Sequence, residues 1–362
     1  LCCVSMNASE SPLADGVENK NRDTAIKLLK QKCDANTPQV DGTTALHWAA
    51  YHDDAELGLM LLEAGARADA ENRYGVTSLY SACQNGNAKL VIALLQHGAD
   101  PDTSLQGEEA LLTASRTGSV EVVKTLLKSG AKINAEDRNN QTALMWAAAE
   151  GNLEVVKILI EAGANIRHQL DSGFTPLLFA VREGREPVVH ALLNAGLDVN
   201  EAATPEKGRL PRGSTPLTLA IENGHFTLAT SLLEAGANPN DTRTGFSPLH
   251  ILSWVRKPGG GDGPDDLPPP DGSGIMNSLQ FANTLVEHGA KVNAGLKGGR
   301  QHWKDATPFC LAAWTADLAL MRTFVEHGAD PKINASDGST PLMAATGIGR
   351  TMEEASAGTE TE

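Results

Sequence analysis

Two knots of positive charge interrupt an acidic chain. Lys207, Arg209 and Arg212 form one, and Lys297, Arg300, His302 and Lys304 the other, within 362 residues whose formal net charge is −15. Clustered Lys and Arg give charge-assisted hydrogen bonds to carboxylate, phosphate or sulfate. A small anionic ligand or glycan is one chemistry for these residues, and plain solvation of long loops is the other. The overall charge disfavours duplex nucleic acid, whose binding rests on neutralising phosphates.

Other reactive residue types fall in patterns that do no chemistry. Cys2, Cys3, Cys33, Cys83 and Cys310 follow no metal spacing and are too sparse for a disulfide scaffold. There is no Gly-x-Ser-x-Gly elbow, no His-x-x-x-His pair and no Cys-x-x-Cys pair. Gly259-Gly260-Gly261 lacks the Lys-Ser/Thr of a phosphate cradle. The expectation is a non-enzyme with no metal and no cofactor. No apolar stretch reaches the roughly 18 to 20 residues of a membrane helix.

The elements that must position these residues repeat. A phrase of Thr or Ser, a small residue or Pro, then Leu recurs at Thr44-Ala45-Leu46, Thr77-Ser78-Leu79, Thr142-Ala143-Leu144, Thr175-Pro176-Leu177, Thr215-Pro216-Leu217, Ser247-Pro248-Leu249 and Thr340-Pro341-Leu342. A Gly-Ala phrase trails in step, from Gly65-Ala66 to Gly328-Ala329. Within one unit Thr142 is placed to cap a short helix, and Ala147-Ala148 allow close approach to neighbours. A turn follows at Gly151-Asn152. Val155, Val156, Ile158, Leu159 and Ile160 then give a second helix its apolar face, with Glu154 and Lys157 toward water. Gly163 ends that helix, and an extended finger leads to the next unit. Aromatics are only 4% of the chain, so each layer of such a stack is thin.

Asp41-Gly42-Thr43-Thr44-Ala45-Leu46-His47-Trp48-Ala49-Ala50 and Gly151-Asn152-Leu153-Glu154-Val155-Val156-Lys157-Ile158-Leu159-Ile160-Glu161-Ala162-Gly163-Ala164-Asn165 resemble the ankyrin repeat consensus. The run of Trp48, Met145-Trp146-Ala147-Ala148 and Gly173-Phe174-Thr175-Pro176-Leu177-Leu178-Phe179-Ala180-Val181 is similar to multi-ankyrin proteins of environmental bacteria, often exported. The resemblance implies an all-α solenoid with short hairpin-like fingers. Its repeats begin near 11, 41, 74, 106, 139, 172, 213, 245, 305 and 338, so nine are full and a tenth is begun. One repeat domain spans 11–346, between a tail or signal-peptide remnant at 1–10 and a polar tail or the start of further sequence at 347–362. The chain reads as a piece of a longer protein, and export to the periplasm is favoured over the cytoplasm.

The resemblance also implies a function: a monomeric scaffold that binds a partner protein through finger tips and first helices on a concave face. The expected contact residues are Tyr51, His52, Arg73, Tyr74, Gln84, Arg116, Arg138, Phe174, Arg182, Phe246, Trp254, Trp303 and Trp314, with Glu222 in the wider set. Aromatics and Arg carry a large share of interface energy. Trp48, Trp146 and Phe179 are expected one step further in, packed between helices. His47 and His250 stand where the family bonds the neighbouring finger's backbone. Inserted loops at 201–212, 257–277 and 294–304 break the period. The two basic ones, on fingers of one edge, can converge on an anion through Lys207, Arg209, Arg212, Lys297, Arg300 and Lys304.

Overall fold

The computed structural model describes residues 11–208, 210–256, 272–298 and 304–346. They divide into two compact units on either side of the Ile166–Arg167 bond. In the first unit, short helices come in pairs: α1 (Pro12–Glu18) with α2 (Arg22–Lys30), α3 (Ala45–Tyr51) with α4 (Ala55–Glu63), α5 (Ser78–Gln84) with α6 (Ala88–Gln96), α7 (Ala110–Thr117) with α8 (Val120–Lys128), and α9 (Ala143–Glu150) with α10 (Leu153–Glu161). In the second, α11 (Pro176–Arg182) pairs with α12 (Glu186–Asn194), α13 (Pro216–Glu222) with α14 (Phe226–Glu234), α15 (Pro248–Val255) with α16 (Ser278–Glu287), and α17 (Pro308–Trp314) with α18 (Leu318–Glu326); α19 (Pro341–Ala345) begins another pair. Among the described residues no helix is long and apolar enough to cross a membrane.

The recurring phrase is a helix start. Thr77, Thr142, Thr175, Thr215, Thr307 and Thr340 each accept the N–H of the residue three further on, satisfying one orphan donor of the first turn. Prolines at the first helical position lose no hydrogen bond there. The first helices are wrapped on both sides by their neighbours, α3 between α1 and α5 and α15 between α13 and α17. Hence the first six residues of α5, α13 and α17 are all buried, and only the seventh emerges. Small side chains are what let helices so short pack on two faces.

Second helices bury one stripe. In α10 it is Val155, Val156 and Leu159, while Ile158 and Ile160 are only half-buried and Lys157 pairs with Glu154 on the outside. Gly163, at φ +90°, closes the helix as expected, and in the first unit Lys32 takes the same left-handed role at φ 59°. A side-chain clip then ties successive pairs together. Asn200 Nδ2 donates to Gly236 O (3.1 Å) and its Oδ1 accepts the Asn238 N–H (2.8 Å). Asn36, Asn240 and Asn293 do the same to Gly65, Gly289 and Gly328. At this register Asp102 keeps only the accepting half, on the Lys132 N–H, and Arg167 only the donating half, on Gly196 O.

The fingers are less extended than the sequence suggests. One holds an antiparallel ladder, β1 (Ser104–Leu105) with β2 (Glu108–Glu109), and two others hold single bridges, Glu71–Thr77 and Glu136–Thr142. Side chains replace the missing ladder bonds: Asn72 Oδ1 accepts the N–H of Tyr74 and of Val76, and Asp137 Oδ1 those of Asn139 and Gln141.

Candidate binding surface

The surviving surface of the first helices is their C-terminal end, with the finger tips beside it, and the expected contact residues sort onto it unit by unit. In the first unit Tyr51 ends α3 at 65% exposure and Tyr74 sits on a finger tip at 69%. Gln84 and Arg138 are exposed, and Arg138 lies over Gly107 of the preceding finger. Arg73 is exposed too, its N–H bonding Asp41 O at 2.8 Å and so tying two finger tips together. The Asp41 carboxyl is held below its ordinary range, mainly by the Thr43 backbone N–H, with Arg73 adding to it.

Two tryptophans assigned to the interior belong to this surface. Trp48 is half-buried, stacks on His52 at 5.8 Å and meets Tyr51 edge-on at 5.7 Å. Its Nε1–H reaches Gln39 Oε1 (2.8 Å), whose amide donates to Asp15 and Glu18, and His52 Nε2 bonds Glu18 O at 3.0 Å. Trp146 carries the Arg116 guanidinium 5.4 Å over its ring, while Arg116 Nη2 pairs with Glu108 at 2.9 Å. Each indole N–H finds its acceptor on a finger, which holds the ring at the rim; aromatic position along the helix does not carry that signal. Phe179, by contrast, is buried as expected.

In the second unit the Arg182 guanidinium lies over Phe174 (4.9 Å) and Phe179 (5.0 Å) and bonds Glu183 through Nε at 2.8 Å. Phe246 is half-buried on its finger. Trp254, 49% exposed, stacks on Trp314 with centroids 5.6 Å apart and planes 11° apart. Glu222 ends α13, and burial pushes its carboxyl up to about 7. Trp303 lies outside the described residues.

The two basic insertions share a construction the sequence does not reveal. In the first, the N–H groups of Glu206 and Lys207 both donate to Asp171 O of the preceding finger; in the second, those of Lys297 and Gly298 both donate to Gly245 O. Each long finger thus doubles back onto its predecessor. Lys207 Nζ pairs with Asp171 at 3.3 Å, and Arg212 donates to Pro205 O. Lys304 offers its carbonyl to the Ser336 N–H. Arg209 and Arg300 lie outside the described residues, as do 257–271 of the third insertion. The rest of that insertion folds back: Ser273 N–H donates to His225 Nδ1 (2.9 Å), whose Nε2 bonds Arg182 O (2.8 Å).

Two histidines, His47 and His250, and two thiols, Cys83 and Cys310, are buried in the packing. His47 Nε2 bonds Val76 O at 3.1 Å and His250 Nε2 bonds Ala306 O at 3.0 Å, the finger-backbone contacts expected of them. Burial pushes the Cys83 thiol strongly up and that of Cys310 up to about 11, away from the nucleophilic form.

Comparison with known proteins fits this architecture. Three matches to the family model described as ankyrin repeats (3 copies) cover residues 13–104, 59–137 and 111–203, over half of the chain, and a single ankyrin repeat matches at 212–243. The chain belongs to the ankyrin repeat family. Among solved structures, the ankyrin repeat domain of human ASB11 is similar, with a TM-score of 0.54 at 26% identity, over 63% of this chain and 99% of that one. No curated protein sequence matches the chain. Ankyrin repeats generally mediate protein–protein interaction.

Proposed function

We propose that this chain is a non-catalytic scaffold that binds a partner protein through the finger tips and first-helix ends of its units. One observation carries the reading. In a protein with 4% aromatics, Tyr51, Tyr74 and Trp254 are among the few large apolar side chains left exposed, and each stands at a finger tip or a first-helix end. Arg116 and Arg182, held on aromatic rings, add preordered cations at the same positions. The net charge of −15 favours a protein over a nucleic acid as partner. Of the described cations of the basic fingers, Lys207 pairs with Asp171 and Arg212 donates to Pro205 O, so a small-anion site draws no support from these two.

The test is capture of partner from the source organism's extract by wild type and by a triple Tyr74→Ala, Phe174→Ala, Trp254→Ala variant. Hot-spot energetics predict at least about a tenfold loss of recovery in the variant. Equal recovery by a variant with native circular dichroism overturns this surface.

A further inference from the structure

We propose that the aromatic patch where α3 meets the first two finger tips docks a basic segment of the partner protein, with aliphatic side chains on Val40, Tyr51 and Tyr74 and a Lys or Arg on the carboxylates of Asp15 and Glu18. The inference rests on the partner-binding reading above and deepens it by naming the partner's chemistry.

Short contacts make the patch continuous. Trp48 meets Tyr51 edge-on at 5.7 Å, stacks on His52 at 5.8 Å and donates its Nε1–H to Gln39 Oε1 at 2.8 Å. Val40 and Asp41 follow Gln39 on the same finger, and Asp41 O accepts the Arg73 N–H at 2.8 Å, which sets Tyr74 on the adjoining tip. The two fingers lie backbone against backbone there, since a Cβ on Gly42 would stand 3.3 Å from Asn72 Cα. Among the described residues of the first unit four large apolar side chains stand exposed, and three of them are here: Val40 at 81%, Tyr51 and Tyr74. Apolar residues exposed singly call for no explanation, whereas several on one continuous surface mark a place of contact.

Charge selects the occupant. The Gln39 amide nitrogen donates to Asp15 Oδ1 at 2.8 Å and to Glu18 Oε2 at 2.6 Å, so two carboxylates converge on the same neutral side chain that holds Trp48. Glu18 is exposed, and its carbonyl bonds His52 Nε2 at 3.0 Å, which keeps the pair beside the aromatic cluster. The arginines at this end are committed elsewhere. Arg22 pairs with Asp54 at 3.2 Å and Glu56 at 2.7 Å, and Arg73 acts on Asp41, whose carboxyl it helps to hold below the ordinary range. Among the described residues Asp15 and Glu18 make no ion pair, and Lys20, two residues beyond Glu18, makes none either. A Lys or Arg from the partner suits such a place twice over, because its alkyl stem covers apolar surface while its charged head reaches the carboxylates. An acidic partner is repelled by the same pair and by the net charge of −15.

The probe is a fluorescein-labelled pentapeptide alternating Lys and Leu, titrated into the full chain at ~150 mM salt and read by anisotropy. Two counterparts accompany it, one with every Lys acetylated and one with every Leu replaced by Ser. The parent peptide should bind about threefold or more tighter than either. Tyr51→Ala and Tyr74→Ala should each weaken it about fivefold, while Tyr74→Phe should keep most of the affinity. Glu18→Gln, which retains an acceptor for Gln39, should lose about threefold, and Glu161→Gln, an exposed carboxylate on α10, should change little. The proposal is overturned if the acetylated peptide binds as tightly as its parent, if Tyr74→Ala binds as wild type, or if Glu161→Gln weakens binding as much as Glu18→Gln does, which is general attraction of a cationic peptide. Loss of partner capture in a Tyr51→Ala, Tyr74→Ala variant, with no preference for the parent peptide over its acetylated form, leaves the surface standing and removes the basic segment.

Discussion

Glu222 and His250 sit on adjacent first helices and pull the stability of the second unit in opposite directions with pH. The buried Glu222 carboxyl is raised from 4.5 to about 7, so the native state keeps a proton that the unfolded chain gives up. Its contribution is complete below about pH 4.5 and is lost as pH rises through 7. The buried His250 ring is depressed from 6.5 to about 4, so the unfolded chain takes a proton the native state refuses. Its contribution is complete above about pH 6.5 and is lost as pH falls toward 4. Each is worth up to about 3 kcal/mol, and over the shared range the two slopes nearly cancel. Urea denaturation of wild type should therefore vary little from about pH 4.5 to 6.5 on account of this pair, whereas Glu222→Gln should rise in stability by about 2–3 kcal/mol over the same interval. A flat profile in the variant removes the assignment. His250 was legible through the family resemblance, which sets its ring against the neighbouring finger's backbone, where Ala306 O stands. The burial of Glu222 was not, since it arises from tertiary packing rather than from its local sequence.

At the scale of the element, the sequence carried the helices well and the connections poorly. Thr-x-Leu and Gly-Ala mark helix ends through caps and left-handed glycines, both local effects. The doubling back of the long fingers rests on pairs of backbone N–H groups converging on Asp171 O and Gly245 O, and backbone groups are the same in every sequence. Trp48 and Trp146 were placed too deep for a similar reason: their acceptors, Gln39 and Asp137, sit on fingers nine residues away. Close packing of second helices also shows at one residue. A Cβ on Gly58 of α4 would stand 2.6 Å from Leu90 Cδ1 of α6, and Leu90 is fully buried. Gly58→Val should cost about 1–3 kcal/mol, read as a lower urea midpoint with an unchanged slope. A midpoint equal to wild type would show that α6 yields freely.

For the molecule as a whole, stability is a sum over thin layers rather than one deep core. Among the described residues Phe281 of α16 and Phe324 of α18 are the largest fully buried side chains, both second-helix residues of the second unit. Phe281→Ala should cost about 3–5 kcal/mol. In hydrogen exchange the loss of protection should concentrate in α14, α16 and α18, which pack in series, and leave α3 to α7 as in wild type. Uniform loss across both units would contradict a nearest-neighbour account.

The asparagine clips also set how this protein ages. An asparagine amide is among the thermally labile side chains, and its hydrolysis leaves an aspartate that can accept a hydrogen bond but not donate one. Asp102 already displays that half-clip, holding the Lys132 N–H and adding an ion pair to its ammonium. Asn200 and Asn293 have no lysine so placed, because the residues they hold are Asn238 and Asp330. Storage damage at Asn293 would set a new carboxylate beside Asp330, so shelf life should be limited at the joints between layers of the second unit rather than in its core.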